Sequence, residues 1–453
     1  MGKYEEPSIE VTRAGDGRYG TDIPSHRASR ALRIGGIAGG IAGNVIAGGL
    51  REFASGRRPE MKDLVFTPAN ARRMADQLAR MRGAAMKVGQ LMSMETGDFL
   101  PPEIAAILDR LRDDADPMPP KQLKTVLTAE WGDGWLKKFR RFDVRPIAAA
   151  SIGQVHRAQT KDGRDLAIKV QYPGIRRAID SDVDNLWTLT RLSGAIPKGL
   201  DLAPLFEDIK RQLHKEADYL REAEALGAFA DAMDGSDAFL VPRPQMEFSS
   251  ENILAMDFIE SVPFTDLASA PQATRDRAAT RLIDLVLAEL FHHGAMQTDP
   301  NFANYRYEPG SDRIVLLDFG ATAQFDIGLR RAFHALMIAG LEGDDRGVLD
   351  GLEAVRLYDG NLPEKHRAVI LEMFRLGIAA IRDQEIFDFA SDPLIDRLRA
   401  KGMEIGAEKD FWIVPATDTL LVQRKVAGSY LMAARLKARV NLGEIIARYS
   451  EPF

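Results

Sequence analysis

Two stretches in the second half of the chain decide its reading: Gln297-Thr298-Asp299-Pro300-Asn301-Phe302-Ala303-Asn304 and Ile314-Val315-Leu316-Leu317-Asp318-Phe319-Gly320. Ile314 to Leu317 form an apolar run short enough to be a buried strand, and it ends in Asp318, Phe319 and Gly320. A carboxylate at the end of such a strand is held at the edge of a cleft, where it can carry a metal ion. Asn304 stands fourteen positions before Asp318, and Asp299 five before Asn304. Taken singly each piece is weak, because aspartates also cap helices.

The order of the pieces carries the argument. Kinases place an aspartate at the attacking oxygen, an asparagine five residues on at the second Mg²⁺, and the aspartate of Asp-Phe-Gly between metal and phosphates. In that order Asp299 is the catalytic residue, and Asn304 and Asp318 are metal ligands. Upstream, Leu166-Ala167-Ile168-Lys169 puts a lysine on an apolar strand, where its point charge reaches the α- and β-phosphates of ATP. Glu222 or Glu216, on the helix that follows, can pair with it. A lone strand lysine is usually solvated, but four pieces in one order seldom arise by accident.

Where a glycine-rich loop would cover the phosphates stands Ala148-Ala149-Ala150-Ser151-Ile152-Gly153. Ala148, Ala149, Ala150 and Ser151 are expected beside the nucleotide. Alanine does not take positive φ cheaply, so this loop is expected to be stiff, with amides aimed to favour a different phosphate pose or the ADP form. After Gly320 a helical pattern resumes near Leu329, with no long activation segment and no Ala-Pro-Glu. A platform for peptide substrates is missing, which argues against transfer to a protein hydroxyl.

Around this centre the chain has 453 residues, roughly three domains' worth at about 150 each. With 45% hydrophobic and 28% charged residues it has the composition of a globular protein with a sizeable core. Its 60 basic residues against 66 acidic give a net charge of −6, without the basic excess that nucleic-acid binding needs, so no nucleic-acid partner is expected. The absence of cysteine excludes disulfides, thiolate metal sites and a cysteine nucleophile. His292 and His293 lack an evident third ligand and read as structural rather than metal-binding.

Four units are expected: a start over 1–59, a helical subdomain over 60–135, an amino-terminal lobe over 136–262 and a helical carboxy-terminal lobe over 263–453. Residues before about 26 show no hydrophobic period and read as disordered. Ile34 to Leu50 is a Gly/Ala/Ile run of 17 residues, about 26 Å as a helix, at the lower edge of spanning length. Gly35, Gly39 and Gly43 lie four apart, which suits close helix contact in lipid, and Arg27, Arg30, Arg57 and Arg58 can touch anionic headgroups. Between Thr67 and Thr96, Met74, Leu78, Met81, Ala85, Val88 and Met92 predict a long amphipathic helix. Val155–Thr160 and Asp165–Gln171 predict a hairpin, helices fill Ile179 to about Ala230, and Phe239–Phe248 with Ile253–Phe258 predict a second strand pair. Beyond Thr274 the pattern is helical apart from Ile314–Leu317.

The sequence resembles the UbiB family of atypical kinase-like proteins, associated with coenzyme Q (ubiquinone) biosynthesis, over roughly residues 60 to 450. The resemblance rests on Lys87-Val88-Gly89-Gln90, Leu100-Pro101-Pro102-Glu103, Pro146 to Ala158, Lys169 to Gly174, Glu216-Ala217-Asp218-Tyr219, Glu222-Ala223, Gln297 to Asn304 and Asp318-Phe319-Gly320. It implies an α+β, two-lobed protein-kinase-like fold with the helical Lys-x-Gly-Gln subdomain packed on it. It implies ATP and Mg²⁺ as cofactors and an ATPase or unorthodox kinase, with a lipid or quinone-precursor ligand and quinone-biosynthesis enzymes as partners. Lys87 and Gln90 would point into the nucleotide cleft, facing Glu216 and Asp218 as a regulatory set. Met256 and Phe258, at the end of the strand Ile253–Phe258, are assigned to the nucleotide with Lys169 and Glu222. The family's glycine-rich amino-terminal segment implies a cytoplasmic protein peripheral to or anchored at the inner membrane. Many members carry histidine and glycine in the catalytic loop where this chain has Asn301 and Ala303, but Asp299 and Asn304 remain. The competing readings are a non-catalytic nucleotide-sensing scaffold and a small-molecule kinase of the aminoglycoside phosphotransferase type; the Lys-x-Gly-Gln helix and the alanine loop speak against the latter.

Overall fold

The structure, a computed structural model, describes residues 117–150, 152–193, 203–358, 362–406, 415–451 and 453. The expectations for the start of the chain, the 34–50 run, the 67–96 helix, Lys87, Gln90 and Ser151 lie outside the described residues.

The described chain begins with α1 (Pro120–Trp131), which starts with proline at its first turn, where a missing N–H costs nothing, and buries Leu123 and Leu127 four residues apart. It leads into an antiparallel sheet of β1 (Phe139–Phe142), β2 (Ala148–Ala150), β3 (Gly153–Thr160), β4 (Asp165–Gln171) and β6 (Ile253–Asp257). The order is β1-β3-β4-β6, with β2 also on β3. The predicted hairpin is β3–β4, with His156 opposite Ile168 and Ala158 opposite Leu166. Because side chains alternate across a strand, Leu166, Ile168 and Val170 enter one face of the sheet, fully buried, and Lys169 enters the other. Beside the sheet, Trp131, Trp135, Phe139, Phe142 and Phe248 stack with ring centroids 5.0–6.4 Å apart, and Trp131 Nε1 donates to the Phe248 carbonyl at 3.1 Å.

Three helices follow β4: α2 (Ile175–Ser193), α3 (Ala203–Glu216) and α4 (Tyr219–Ala232). The strand pair predicted over 239–258 does not form as such. β5 (Phe239–Leu240) runs parallel to β10 (Arg313–Leu316), and β6 pairs with β4 instead. Only bridges at Pro244–Met256 and Ser250–Ile253 join the two segments. Pro242 and Pro244 remove the N–H groups that a continuous ladder would need.

β10 lies in a second sheet, β5-β10-β9-β7, with β7 (Val262–Pro263) and β9 (Tyr305–Glu308). α5 (Gln272–Leu287) runs into a π-turn over Ala288–His293, ended by Gly294 at φ 66°. β8 (Ala295–Gln297) then pairs with β11 (Thr322–Gln324), so the stretches before Asp299 and after Gly320 lie side by side. The chain closes through α6 (Ile327–Glu342), α7 (Asp345–Ala354), α8 (Glu364–Arg382), β12 (Phe387–Asp388), α9 (Leu394–Gly406), α10 (Thr417–Arg435), β13 (Arg439–Val440) and α11 (Leu442–Ala447). The strands beyond Thr274 that periodicity misses are two to four residues long, too short to display an alternation. The result is a lobe built on an antiparallel sheet and a mainly helical lobe, with β6 leading from one into the other.

Candidate active site

Lys169 stands at the centre of β4, opposite Val155 on β3 and Leu254 on β6. Its ammonium donates to Glu222 Oε1 at 2.7 Å and Oε2 at 2.9 Å, and to Asp318 Oδ2 at 3.2 Å. The side chains of Lys169 and Glu222 are 8% and 1% exposed. A cation so far from water requires a carboxylate beside it, and of the two sequence candidates it is Glu222 that reaches it. Burial works against the lysine's charge, but Asp318 and Glu222 outweigh it and hold its pKa well above the usual range. Burial also raises Glu222, with the ammonium opposing. Both carboxylate oxygens of Glu222 accept from Lys169, which opposes the effect of burial.

Glu222 is placed by α4, whose first turn is capped by Asp218: its carboxylate accepts the Arg221 N–H at 3.2 Å. Asp218 therefore does structural work at the helix start. Glu216 is buried at the end of α3. The turn between Glu216 and Asp218 is tied to β4 by Gln171, whose amide donates to the Ala217 carbonyl at 3.0 Å. Phe319 packs on Phe229 of α4 with centroids 4.7 Å apart, so Asp-Phe-Gly is locked to the helix that carries Glu222.

Asp318 accepts the Gly320 N–H through Oδ1 at 3.0 Å. Leu317 N–H donates to the Asn304 carbonyl at 3.1 Å, and Asn304 Nδ2 donates to the Asp299 carbonyl at 2.9 Å. Lys169 is thus bonded to Asp318, and the neighbouring Leu317 is bonded through Asn304 to Asp299, drawing together residues 130 positions apart in the chain. The Gln297 side chain also grips the Asp299 carbonyl, at 2.8 Å. Asn304 closes a one-turn helix over Phe302–Asn304 that Asn301 caps by accepting the Ala303 N–H.

Ala148–Ala150 is a regular strand rather than a loop, with Ala149 opposite Gln154 and Ala150 opposite Gly153. Extended backbone costs alanine nothing, so positive φ is not called upon. Glycine is required at Gly153, where a Cβ would stand 2.5 Å from the Val170 carbonyl and 2.7 Å from the Tyr219 hydroxyl. Met256 lies on the Lys169 face of the sheet and is buried. Phe258 follows the strand, with the Arg157 guanidinium 4.1 Å over its ring. His292 lies against Tyr449, ring centroids 4.9 Å apart.

Asn304 and Asp318 present a carbamoyl and a carboxylate oxygen, hard donors of the kind Mg²⁺ accepts. Among the described residues no group of three or more His, Asp or Glu is placed to hold a metal. Mg²⁺ is commonly held by one or two protein oxygens, completed by phosphate and water, so the donor set fits that ion with a nucleotide.

Sequence reasoning missed the residues behind the loop. Lys425 of α10 is buried with Glu289 of the π-turn at 2.9 Å, and it donates to the Gln297 carbonyl at 2.8 Å and the Tyr305 hydroxyl at 3.1 Å. Burial disfavours its charge, but Glu289 and Tyr305 outweigh this and raise its pKa. Arg424 donates to Asp299 Oδ1 at 2.8 Å. The only signal in the sequence was an Arg-Lys pair inside an apolar helical stretch.

An antiparallel sheet presenting a paired lysine to an Asp-Phe-Gly turn, above a loop with Asp and Asn five apart, defines the protein-kinase-like class. Residues 110–351 match the ABC1 atypical kinase-like domain, and the chain belongs to that family. It is 34% identical to "Atypical kinase COQ8, mitochondrial" of Saccharomyces cerevisiae over 98% of this chain and 87% of that protein. It is 32% identical to "Atypical kinase COQ8B, mitochondrial" of Danio rerio over 92% of this chain and 68% of that one. In fold it is similar to Rv3197 of Mycobacterium tuberculosis, solved with erythromycin, at TM-score 0.60 and 24% identity over 85% of this chain and 97% of that one. The atypical kinase relationship indicated by the sequence motifs is thereby established.

Proposed function

We propose that the chain binds ATP with Mg²⁺ and hydrolyses it, or passes its terminal phosphoryl group to a small or lipid-like acceptor, in support of ubiquinone biosynthesis at a membrane. The observation that carries this is the buried Lys169–Glu222 pair in contact with Asp318, whose chain neighbour Leu317 is hydrogen-bonded to Asn304 and through it to Asp299. Lys169 neutralises charge on the α- and β-phosphates, and Glu222 keeps its ammonium in place. Asn304 and Asp318 would hold Mg²⁺, which draws off negative charge from the phosphates when bound. Asp299 orients the attacking water or hydroxyl, and Gln297 and Asn304 fix its backbone so that little reorganisation remains at the moment of reaction. Met256 and Phe258, with Ala148 to Ser151, border the nucleotide. By family resemblance Lys87 and Gln90 would face Glu216 and Asp218 as a regulatory set.

Family membership supports the ubiquinone role, and the 34–50 run supports attachment at the cytoplasmic side of an inner membrane. Among the described residues no helix is long and apolar enough to cross a membrane. Phosphate release from ATP and Mg²⁺ tests the reading. Asp299→Asn is expected to keep nucleotide affinity within about threefold and to lose turnover by about 100-fold or more. A variant as fast as the parent would refute the role of Asp299, and a parent that binds nucleotide with no release would favour the sensing scaffold.

A further inference from the structure

Helix α10 belongs to none of the motifs that mark the site, yet three of its residues grip the loop of Asp299. Arg424 Nη2 donates to Asp299 Oδ1 at 2.8 Å, with the two side chains 5% and 12% exposed. Lys425, next along, ties down Gln297 and Tyr305 against Glu289. One turn on, Gly428 lies so close to Pro300 that a Cβ would overlap the proline ring. Positions 424, 425 and 428 share one side of a helix, and that side is laid along Gln297 to Pro300.

Arg424 is poorly explained as a prop for the fold. Its Nε and Nη1 are buried with no hydrogen-bond partner among the described residues. A buried guanidinium with unmet donors costs stability, and an apolar residue of similar size would commonly be as stable or more so. What the arginine achieves is specific: a planar, permanently charged donor fixes one oxygen of Asp299 and with it the direction of the carboxylate.

We infer that Arg424 is a positioning residue for Asp299, setting the orientation of the carboxylate that aligns the attacking oxygen, with α10 as the rigid frame of the catalytic loop. The inference rests on the reading of Asp299 given above. Its effect falls on the chemical step and leaves nucleotide binding alone, because Lys169, Glu222 and Asp318 lie on other elements.

The test is steady-state phosphate release by the full chain carrying Arg424→Lys and Arg424→Ala, with ADP affinity and thermal midpoint measured on the same samples. Arg424→Ala is expected to lower kcat by about 10- to 100-fold, the cost of a misplaced catalytic group, with KM for ATP and ADP affinity within about threefold of the parent. Arg424→Lys keeps the charge but loses the fork, and its kcat should lie between. Added guanidinium chloride at non-denaturing concentration should restore part of the Arg424→Ala rate above a sodium chloride control. An unchanged kcat would overturn the inference, as would a kcat loss accompanied by an equal weakening of ADP binding and no response to guanidinium. A parent chain that releases no phosphate would overturn the reading of Asp299 itself, and the role of Arg424 with it.

Discussion

At His156 the hydrogen bonds alone decide the protonation state. The Asp143 carbonyl can only accept, so the Nδ1 that lies 2.8 Å from it carries the proton. Gln154 Oε1 takes the Met118 N–H at 2.7 Å, which leaves its amide nitrogen to donate to His156 Nε2 at 2.9 Å. The ring is neutral and wholly buried, and burial lowers its pKa from 6.5 to about 4, with the Asp143 contact opposing. A histidine depressed in the folded state binds its proton more readily when unfolded, so its contribution is complete above pH 6.5 and is lost as the pH falls towards 4. By pH 5 the loss is about 2 kcal/mol. Denaturant unfolding at pH 7.5 and pH 5 should therefore show a steeper acid loss for the parent than for His156→Phe, which lacks the titrating ring. Equal losses would show that His156 is not responsible. Sequence placed this residue on a strand, but its neutrality depends on Met118 and Asp143, which only the folded chain brings to it.

At the scale of elements, β3 illustrates a signal that was legible and misassigned. The departure from a glycine-rich loop was read at the alanines, whereas Ala148–Ala150 is an ordinary strand and the constraint sits at Gly153. Gly153→Ala should force β3 from the Val170 carbonyl and the Tyr219 hydroxyl, lowering stability by about 1–3 kcal/mol. Because the strain falls between β4 and α4, ATP affinity should drop as well. Ala149→Gly, on the exposed strand beside it, should cost no more than about 1 kcal/mol. Thermal midpoints and ATP titrations of the two variants check this, and similar effects for both would show that the contact at Gly153 is relaxed. The hairpin β3–β4 was legible because Lys161-Asp162-Gly163-Arg164 punctuates two alternating runs. Segment 239–248 was not, because an apolar run with prolines pairs with a distant strand through only two residues, and pairing of that kind leaves no local period.

For the whole molecule, the prediction concerns attachment to lipid. Folded as a helix, residues 34–50 would extend about 26 Å, and each neighbouring arginine would add about 1 kcal/mol at an anionic surface. Flotation with vesicles rich in anionic lipid should carry the full chain upward and leave a chain lacking residues 1 to 55 below; equal flotation would place the contact elsewhere. Local sequence by itself determined the lobed kinase-like class and singled out Lys169, Asp299, Asn304 and Asp318 as candidates, because each belongs to a short motif whose backbone geometry is set by its immediate neighbours. Tertiary structure alone decided that Glu222 rather than Glu216 meets Lys169, and that Arg424, Lys425 and Gly428 lie against the loop of Asp299. Those contacts span from 53 to 128 positions of chain, and pairing at such a separation is chosen by how helices and sheets pack, which no local pattern of residues encodes.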